Sequence, residues 1–262
     1  MLVKASLNEK DRILSILKKK ADLNLFFIAD IEFFGIETDF MKVWVNSQFT
    51  TFVLKYNSNL LVYSEDNNYD KQEIFDLIVK ENIKICSFGQ DTYNFLKKDI
   101  ERKGWNVRFE TMAKMEKLVI PLPSIKVERA VKEDATKIVT ALSKIDEFKE
   151  LISGQIENRI KNTYDKIENG FCIHFIVREK GEIIANANTS AISSNSAMIG
   201  GVFTTKKYRN KGYGTAVVAT LCDYLLKHNQ TPVLFFENPK AASIYHRLGF
   251  VDFDKWFMLI IE

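Results

Sequence analysis

One segment constrains this chain more than any other: Ala197–Thr215, which reads AMIGGVFTTKKYRNKGYGT. An apolar run enters, Arg209-Asn-Lys-Gly-Tyr-Gly214 turns, and an apolar-periodic helix leaves through Val217, Val218, Leu221 and Leu225. Glycines at 212 and 214 remove side chains where something must approach the backbone closely. The first N–H groups of a helix have no intrahelical partner, and they meet a ligand with the positive end of the helix dipole. Such a turn is a cradle for a pyrophosphate. It is not the Gly-Lys-Ser/Thr phosphate loop, because no such triplet follows. Nor is it the dinucleotide fingerprint, because Val217 stands where a third glycine is needed.

A second motif begins 24 residues past Gly214: Asn238-Pro-Lys-Ala-Ala-Ser-Ile-Tyr-His-Arg-Leu-Gly-Phe250. Asn238 before Pro239 reads as the cap and first position of a helix. Tyr245 is seven residues on, two turns along the same face. Gly249 ends the helix, and Phe250 re-enters the core.

The second half alternates α and β around these motifs. The pattern predicts a short extended segment at Ile125–Ala130 and helices at Glu133–Ile145 and Leu151–Ile167. Strands follow at Phe171–Val177, Ile183–Ile192 and Ala197–Thr204, joined by turns at Glu179–Gly181 and Ser193–Ser196. The helix Gly212–His228, the strand Pro232–Phe236, the helix Pro239–Leu248 and strand structure at Phe250–Ile261 complete it. The first half has a weaker version of the same texture. Helices are expected at Asp11–Lys20, Glu73–Lys80 and Thr92–Lys103. A hairpin is expected over Phe49–Tyr63 around Asn57–Asn59, with strands at Ile83–Phe88 and Trp105–Val119. Asn24–Gly35, dense in aromatics, is expected to be core packing, with the lining of an acceptor groove as the alternative. Leu118–Ser124 carries two of the four prolines, which favour extended backbone. The domain junction is placed there, giving domains at 1–120 and 125–262 and an α/β fold with mixed sheets.

The strand, the Arg209–Gly214 turn, the long helix, the strand ending Glu237-Asn238 and the Ala-Ala-x-x-Tyr-x-x-x-Gly-Phe segment together resemble the GNAT superfamily of acyl-CoA N-acyltransferases. The resemblance covers roughly Ile125–Glu262. It implies a GNAT fold in this half, and the similar order of the first half suggests a diverged, degenerate tandem GNAT-like domain without the cofactor motif. The resemblance also implies acetyl-CoA (coenzyme A) as cosubstrate and an acetyl group passed to an amine. Carried over residue by residue, it assigns Arg209, Asn210, Lys211, Gly212, Tyr213, Gly214 and Thr215 to the phosphates. Val202, Phe203 and Thr204 are assigned to pantetheine through their backbone, Asn238 to pantetheine contact, and Tyr245 to the thiolate as acid. The family's acidic base is missing from Ile183–Thr204, which holds no Asp or Glu. Glu237 at a strand end is the nearest acidic candidate. Glu182, His174 and a water relay stay open.

Composition excludes several other classes. The net charge is +3; 18 basic and 18 acidic residues precede Pro121, and 19 and 16 follow it. An excess of three makes no nucleic-acid footprint. No apolar run reaches the ~18 residues of a membrane helix, and MLVKASLNEKDR lacks the apolar core of a signal peptide. Cys86, Cys172 and Cys222 are odd in number and far apart, which fits free thiols in a reducing compartment and no CxxC metal site. The expectation is a cytoplasmic enzyme with no metal, no membrane and no nucleic-acid partner. Its acceptor is a small-molecule or peptide amine, the first half shapes the acceptor side, and a second copy in a homodimer is a candidate partner. The other class of reading is an acyl-CoA-binding sensor or scaffold without turnover.

Overall fold

The computed structural model describes residues 1–146, 148 and 154–261; the side chain of residue 240 is not described. Residues 151–153 of the expected Leu151–Ile167 helix lie outside the described residues. The chain divides into two compact units. One comprises Met1–Ala113, Phe235–Glu237 and Asp252–Glu262, and the other Lys114–Leu234 and Asn238–Val251.

The first half runs β1 (Leu2–Lys4), α1 (Lys10–Leu17), α2 (Leu25–Phe34), β2 (Met41–Asn46), β3 (Thr51–Tyr56) and β4 (Asn59–Ser64). It continues through α3 (Lys71–Lys80), β5 (Ile85–Gly89), α4 (Gln90–Lys103) and β6 (Asn106–Met115). Within the first unit the strand order is β1-β2-β3-β4-β5, followed by β12 (Phe250–Ile260) and β6. β1 to β4 pair antiparallel, β4 and β5 parallel, and β12 lies antiparallel to β5 from Trp256↔Gly89 to Ile260↔Ile85. Side chains alternate across this sheet as the pleat requires. Val43, Val45, Phe52 and Leu54 pack with Ile13, Leu17, Phe27, Ile28 and Ile31 of α1 and α2. Trp44, Val53 and Val62 face the opposite way and pack with Ile74, Phe75, Leu96 and Ile100 of α3 and α4. Each fully buried large apolar side chain contributes about 1.5–3 kcal/mol.

The second half repeats this order: β7 (Glu128–Arg129), α5 (Ala135–Leu142), α6 (Ile156–Glu168), β8 (His174–Glu179), β9 (Glu182–Ile192) and β10 (Ser196–Thr204). Then come α7 (Tyr213–Lys227), β11 (Thr231–Phe236), α8 (Pro239–Leu248) and β12. β7 to β10 pair antiparallel, and β10 and β11 parallel from Ser196↔Thr231 to Ile199↔Leu234. A strand, two helices, a three-strand meander, a helix, a parallel strand, a helix and a strand therefore occur twice. This is the duplication the sequence suggested.

Most expected elements form within a few residues of their predicted bounds. Three elements, β1, α2 and β2, have no counterpart among the expectations; β1 is only three residues long. Leu25–Phe34 is the helix α2; it is apolar nearly all round, so it carries no amphipathic signal. β2 has five buried positions out of six and lacks an apolar–polar alternation. The last strand also belongs elsewhere than its place in the chain suggests. From Asp252 onward it is grouped with the first unit, because it pairs with β5.

Candidate functional site

The site in the second unit is built on the end of β10 and the start of α7. The ladder between β9 and β10 shifts register between Gly200↔Asn188 and Phe203↔Asn186, so Gly201 and Val202 together oppose Ala187. This bulge re-aims the strand just before the turn. Gly201 adopts φ +54°, and a Cβ there would lie 2.0 Å from Asn188 Oδ1. A buried polar chain holds the bulge. Asn186 Nδ2 donates to the Gly201 carbonyl at 2.7 Å, and its Oδ1 lies 2.8 Å from His174 Nδ1. The carbonyl oxygen can only accept, so Nδ1 carries the proton. Burial holds the His174 pKa below the usual imidazole value. This histidine is buried and committed to Asn186.

Past Thr204 the chain turns through Asn210 and Gly212, both left-handed at φ +61° and +82°. Gly212 is the residue before α7, and no side chain caps the helix there. The first intrahelical bond runs from Ala216 N–H to the Gly212 carbonyl, 2.9 Å. The N–H groups of Tyr213, Gly214 and Thr215 precede it and lie outside the helical ladder. Gly214 packs tightly beneath β10: a Cβ there would lie 3.0 Å from Thr204 Oγ1. Arg209 Nε donates to the Thr204 carbonyl at 3.1 Å, tying the turn back to the strand. Lys207 and Lys211 approach the Tyr208 ring at 5.7 and 5.5 Å, and Tyr208 meets Tyr213 edge-on at 6.0 Å. Val202, Phe203, Thr204 and the 209–215 turn are thus brought together, with cations around uncapped N–H groups.

The turn is anchored by the far side of α7. Val217, Val218, Leu221, Cys222 and Leu225 are all buried. Asn238 opens α8, its carbonyl accepting the Ala242 N–H at 3.1 Å. Tyr245 packs edge-on against Phe250 at 5.8 Å. Burial raises its pKa, as does neighbouring Cys222, so the phenol keeps its proton at neutral pH. The Cys222 thiol is pushed up by complete burial and stays protonated. Glu237 is exposed at the end of β11 and is grouped with the first unit, apart from the other expected site residues. Glu182 is exposed at the start of β9. Sequence reading passed over Glu110 on β6. Burial, and then the charge of Glu237, hold its carboxyl above the usual range. Only its position in the fold singles it out. No group of three or more His, Cys, Asp or Glu among the described residues is placed to hold a metal ion.

The first unit treats the matching helix start differently. α3 occupies the place of α7, and its N-terminus is closed by its own residue: Asp70 Oδ1 accepts the Gln72 N–H at 2.9 Å. The loop before it is Glu65-Asp66-Asn67-Asn68-Tyr69-Asp70, acidic where the other is basic. The Phe88-Gly-Gln-Asp91 turn is also filled. Gln90 N–H donates to Asp254 Oδ1 at 3.1 Å, and a Cβ on Gly89 would lie 3.1 Å from Leu23 Cδ1.

Residues 140–250 match the family model described as "Acetyltransferase (GNAT) family". That span is a GNAT acetyltransferase domain. An acetyltransferase of this family from Colwellia psychrerythraea aligns over 100% of both chains, with a TM-score of 0.60 and 18% identity. A GCN5-related N-acetyltransferase-like protein from Streptococcus suis covers 97% of this chain and 99% of its own, with a TM-score of 0.61 and 14% identity. A tandem GNAT protein from the clavulanic acid biosynthesis pathway covers 100% and 98%, with a TM-score of 0.61 and 11% identity. At these identities the likeness is one of fold, and it extends the GNAT architecture over the first half as well. A comparison with curated proteins finds no match. No helix among the described residues is long and apolar enough to cross a membrane.

Proposed function

We propose that this chain is an N-acetyltransferase. It would move an acetyl group from acetyl-CoA to a primary amine of a small molecule or peptide, directly and within a ternary complex. The observation that carries the reading is the uncapped start of α7. Two glycines there bring free N–H groups beside Arg209, Lys211 and the end of β10. A Cβ at Gly214 would lie 3.0 Å from Thr204 Oγ1, so glycine lets the start of α7 pack this close to the end of β10.

In this reading the N–H groups of Tyr213, Gly214 and Thr215 hold the pyrophosphate, with Arg209, Asn210, Lys211 and Gly212 around it. The backbone of Val202, Phe203 and Thr204 and the Asn238 side chain align the pantetheine arm. Acetyl-CoA supplies a thioester carbonyl open to attack by a neutral amine. Backbone N–H donors at the bulge stabilise developing oxyanion charge, an effect of about 3–4 kcal/mol per well-placed donor in other enzymes. Tyr245 holds a proton at its Oη for the departing sulfur. Glu237 is the acidic candidate for the base. The 1–120 half serves as a domain without a coenzyme site and 125–262 carries the catalytic site, with its last strand grouped with the first unit, in a cytoplasmic protein; a homodimer would be the assembly to test. The absence of any Asp or Glu from Ile183–Thr204 favours a second reading, a coenzyme-A-binding sensor.

An amine screen that follows release of free coenzyme A, with mass spectrometry of products, separates the two. Tyr245→Phe keeps the ring and deletes the hydroxyl. Turnover should fall about 10- to 1,000-fold, or about 1.4–4 kcal/mol of barrier, while acetyl-CoA binding stays near wild type. Wild-type turnover in this variant, with chemistry rate-limiting, would remove the acid role. No turnover on any amine by either protein, with binding intact, would favour the sensor.

A further inference from the structure

Helix α2 carries Phe26, Asp30, Phe33 and Phe34 at spacings of four, three and one, so one face presents the carboxylate with rings a turn away on each side. On one side Phe26 lies 5.9 Å from both Phe235 and Trp256, which stack on each other at 5.8 Å. On the other, Phe34 meets Phe40 at 5.1 Å and Tyr56 at 5.6 Å, and Phe40 meets Tyr56 at 5.5 Å. All of these residues belong to the first unit. Asp30 is half-buried. Among the described residues no cation, N–H or O–H is bonded to it. Charged groups on α2 itself and on elements that pack with it are engaged elsewhere. Lys18 pairs with Glu32 at 2.7 Å on α2 itself, and Lys42 and Lys55 both pair with Glu81 at 2.8 Å. On β12, Asp254 accepts the Gln90 N–H. Tyr56 is the titratable group on β3 that feels the charge of Asp30.

A partly desolvated carboxylate without a partner is costly, and a protein surface offers many ways to satisfy it. Held between aromatic clusters, it matches the chemistry of organic-cation recognition. Ring faces attract a cation through their quadrupole, and the carboxylate supplies a charge-assisted hydrogen bond. We propose that Asp30, flanked by Phe26, Phe34, Tyr56 and Trp256, is a binding site for an organic ammonium ion, a primary amine carrying a small apolar body. The site lies wholly within the first unit and requires nothing of the α7 cradle, although its ligand class matches the amine of the proposed reaction.

Calorimetry on the full-length protein without coenzyme tests it, using 2-phenylethylammonium as probe and 2-phenylethanol as its uncharged counterpart. The amine is fully protonated at about pH 8, since alkyl ammonium groups titrate near pH ~10. Wild type should bind the ammonium at least about tenfold tighter than the alcohol. Asp30→Asn should lose that preference while binding acetyl-CoA unchanged, and Phe34→Leu should weaken the ammonium severalfold with Asp30 intact. Burial raises the Asp30 pKa to about 7. Ammonium affinity should therefore rise about tenfold from pH ~6 to ~8, and at the lower pH binding should release close to one proton. Far-ultraviolet circular dichroism checks that the variants fold, with Asp30→Ala as the substitute if Asp30→Asn does not. No binding by wild type, equal binding of the alcohol, or undiminished binding by Asp30→Asn would each overturn the site. Loss of acetyl-CoA binding alone would count against the cradle and leave this site standing.

Discussion

Asp30 keeps its proton in the folded chain up to a pH near 7, whereas an unfolded chain releases it near 3.8. The folded pKa is the higher one, so the native state binds more protons between these values and stability falls as pH rises through them. The contribution is full below about pH 4 and gone above about pH 7, and it amounts to roughly 2–4 kcal/mol. Urea denaturation should show Asp30→Asn more stable than wild type at pH ~8, with the difference shrinking toward pH ~5. A difference that stays constant with pH would mean that Asp30 is ordinarily solvated. Gly201 gives a second test at this scale. Alanine there must adopt φ near +54° and place its Cβ 2.0 Å from Asn188 Oδ1, which is itself held by Asn186 Nδ2 at 3.3 Å. Gly201→Ala should cost about 1–3 kcal/mol in a thermal or urea melt. The strand pattern at 197–204 was legible in the sequence. The bulge was not, because the need for glycine at 201 comes from side chains on the neighbouring strand.

At the level of elements, α3 and α7 occupy the same place in two copies of one topology and begin differently. α7 begins at a glycine with no side-chain cap, and α3 at Asp70, whose carboxylate satisfies the Gln72 N–H. One helix start offers donors to a ligand, and the other has used its own. Gly214→Val tests the first. The Cβ at 3.0 Å from Thr204 Oγ1 and the added methyl groups would fill the space between helix and strand. Calorimetry should show acetyl-CoA affinity falling by at least about tenfold, or about 1.4 kcal/mol, while α7 remains folded on its buried stripe. Affinity equal to wild type would place the phosphates elsewhere.

For the whole molecule, the last strand changes what a truncation should do. Proline spacing at 118–124 reads as a junction, and a fragment starting at Ser124 would be the natural catalytic half. Yet Trp256, Phe257 and Leu259 are buried in the first unit, where β12 pairs with β5. A fragment from Ser124 to the end would expose that strand's edge and its apolar face. It should be far less soluble than the full chain and melt at lower temperature or without a cooperative transition. Size-exclusion chromatography with a thermal melt is the measurement. A monomeric, cooperatively melting fragment would show that β12 is dispensable to its own half.

By itself the sequence determined the α/β class, the helix and strand order of the second half, the glycine turn at 209–214 and the helix of Pro239–Leu248. Each is written in local chemistry: apolar period, glycine freedom, proline stiffness and capping. Tertiary structure decided the rest. It made a helix of Leu25–Phe34, whose apolar residues follow no helical period. It committed His174 to Asn186, filled the Gly89 turn with Asp254, and left Asp30 without a bonded partner among the described residues, between two groups of rings. It also carried β12 back to the first unit. Those outcomes depend on residues far apart in the chain, such as Gln90 and Asp254 or Phe26 and Trp256, and a pattern read along the chain holds no record of which distant strand a side chain will meet.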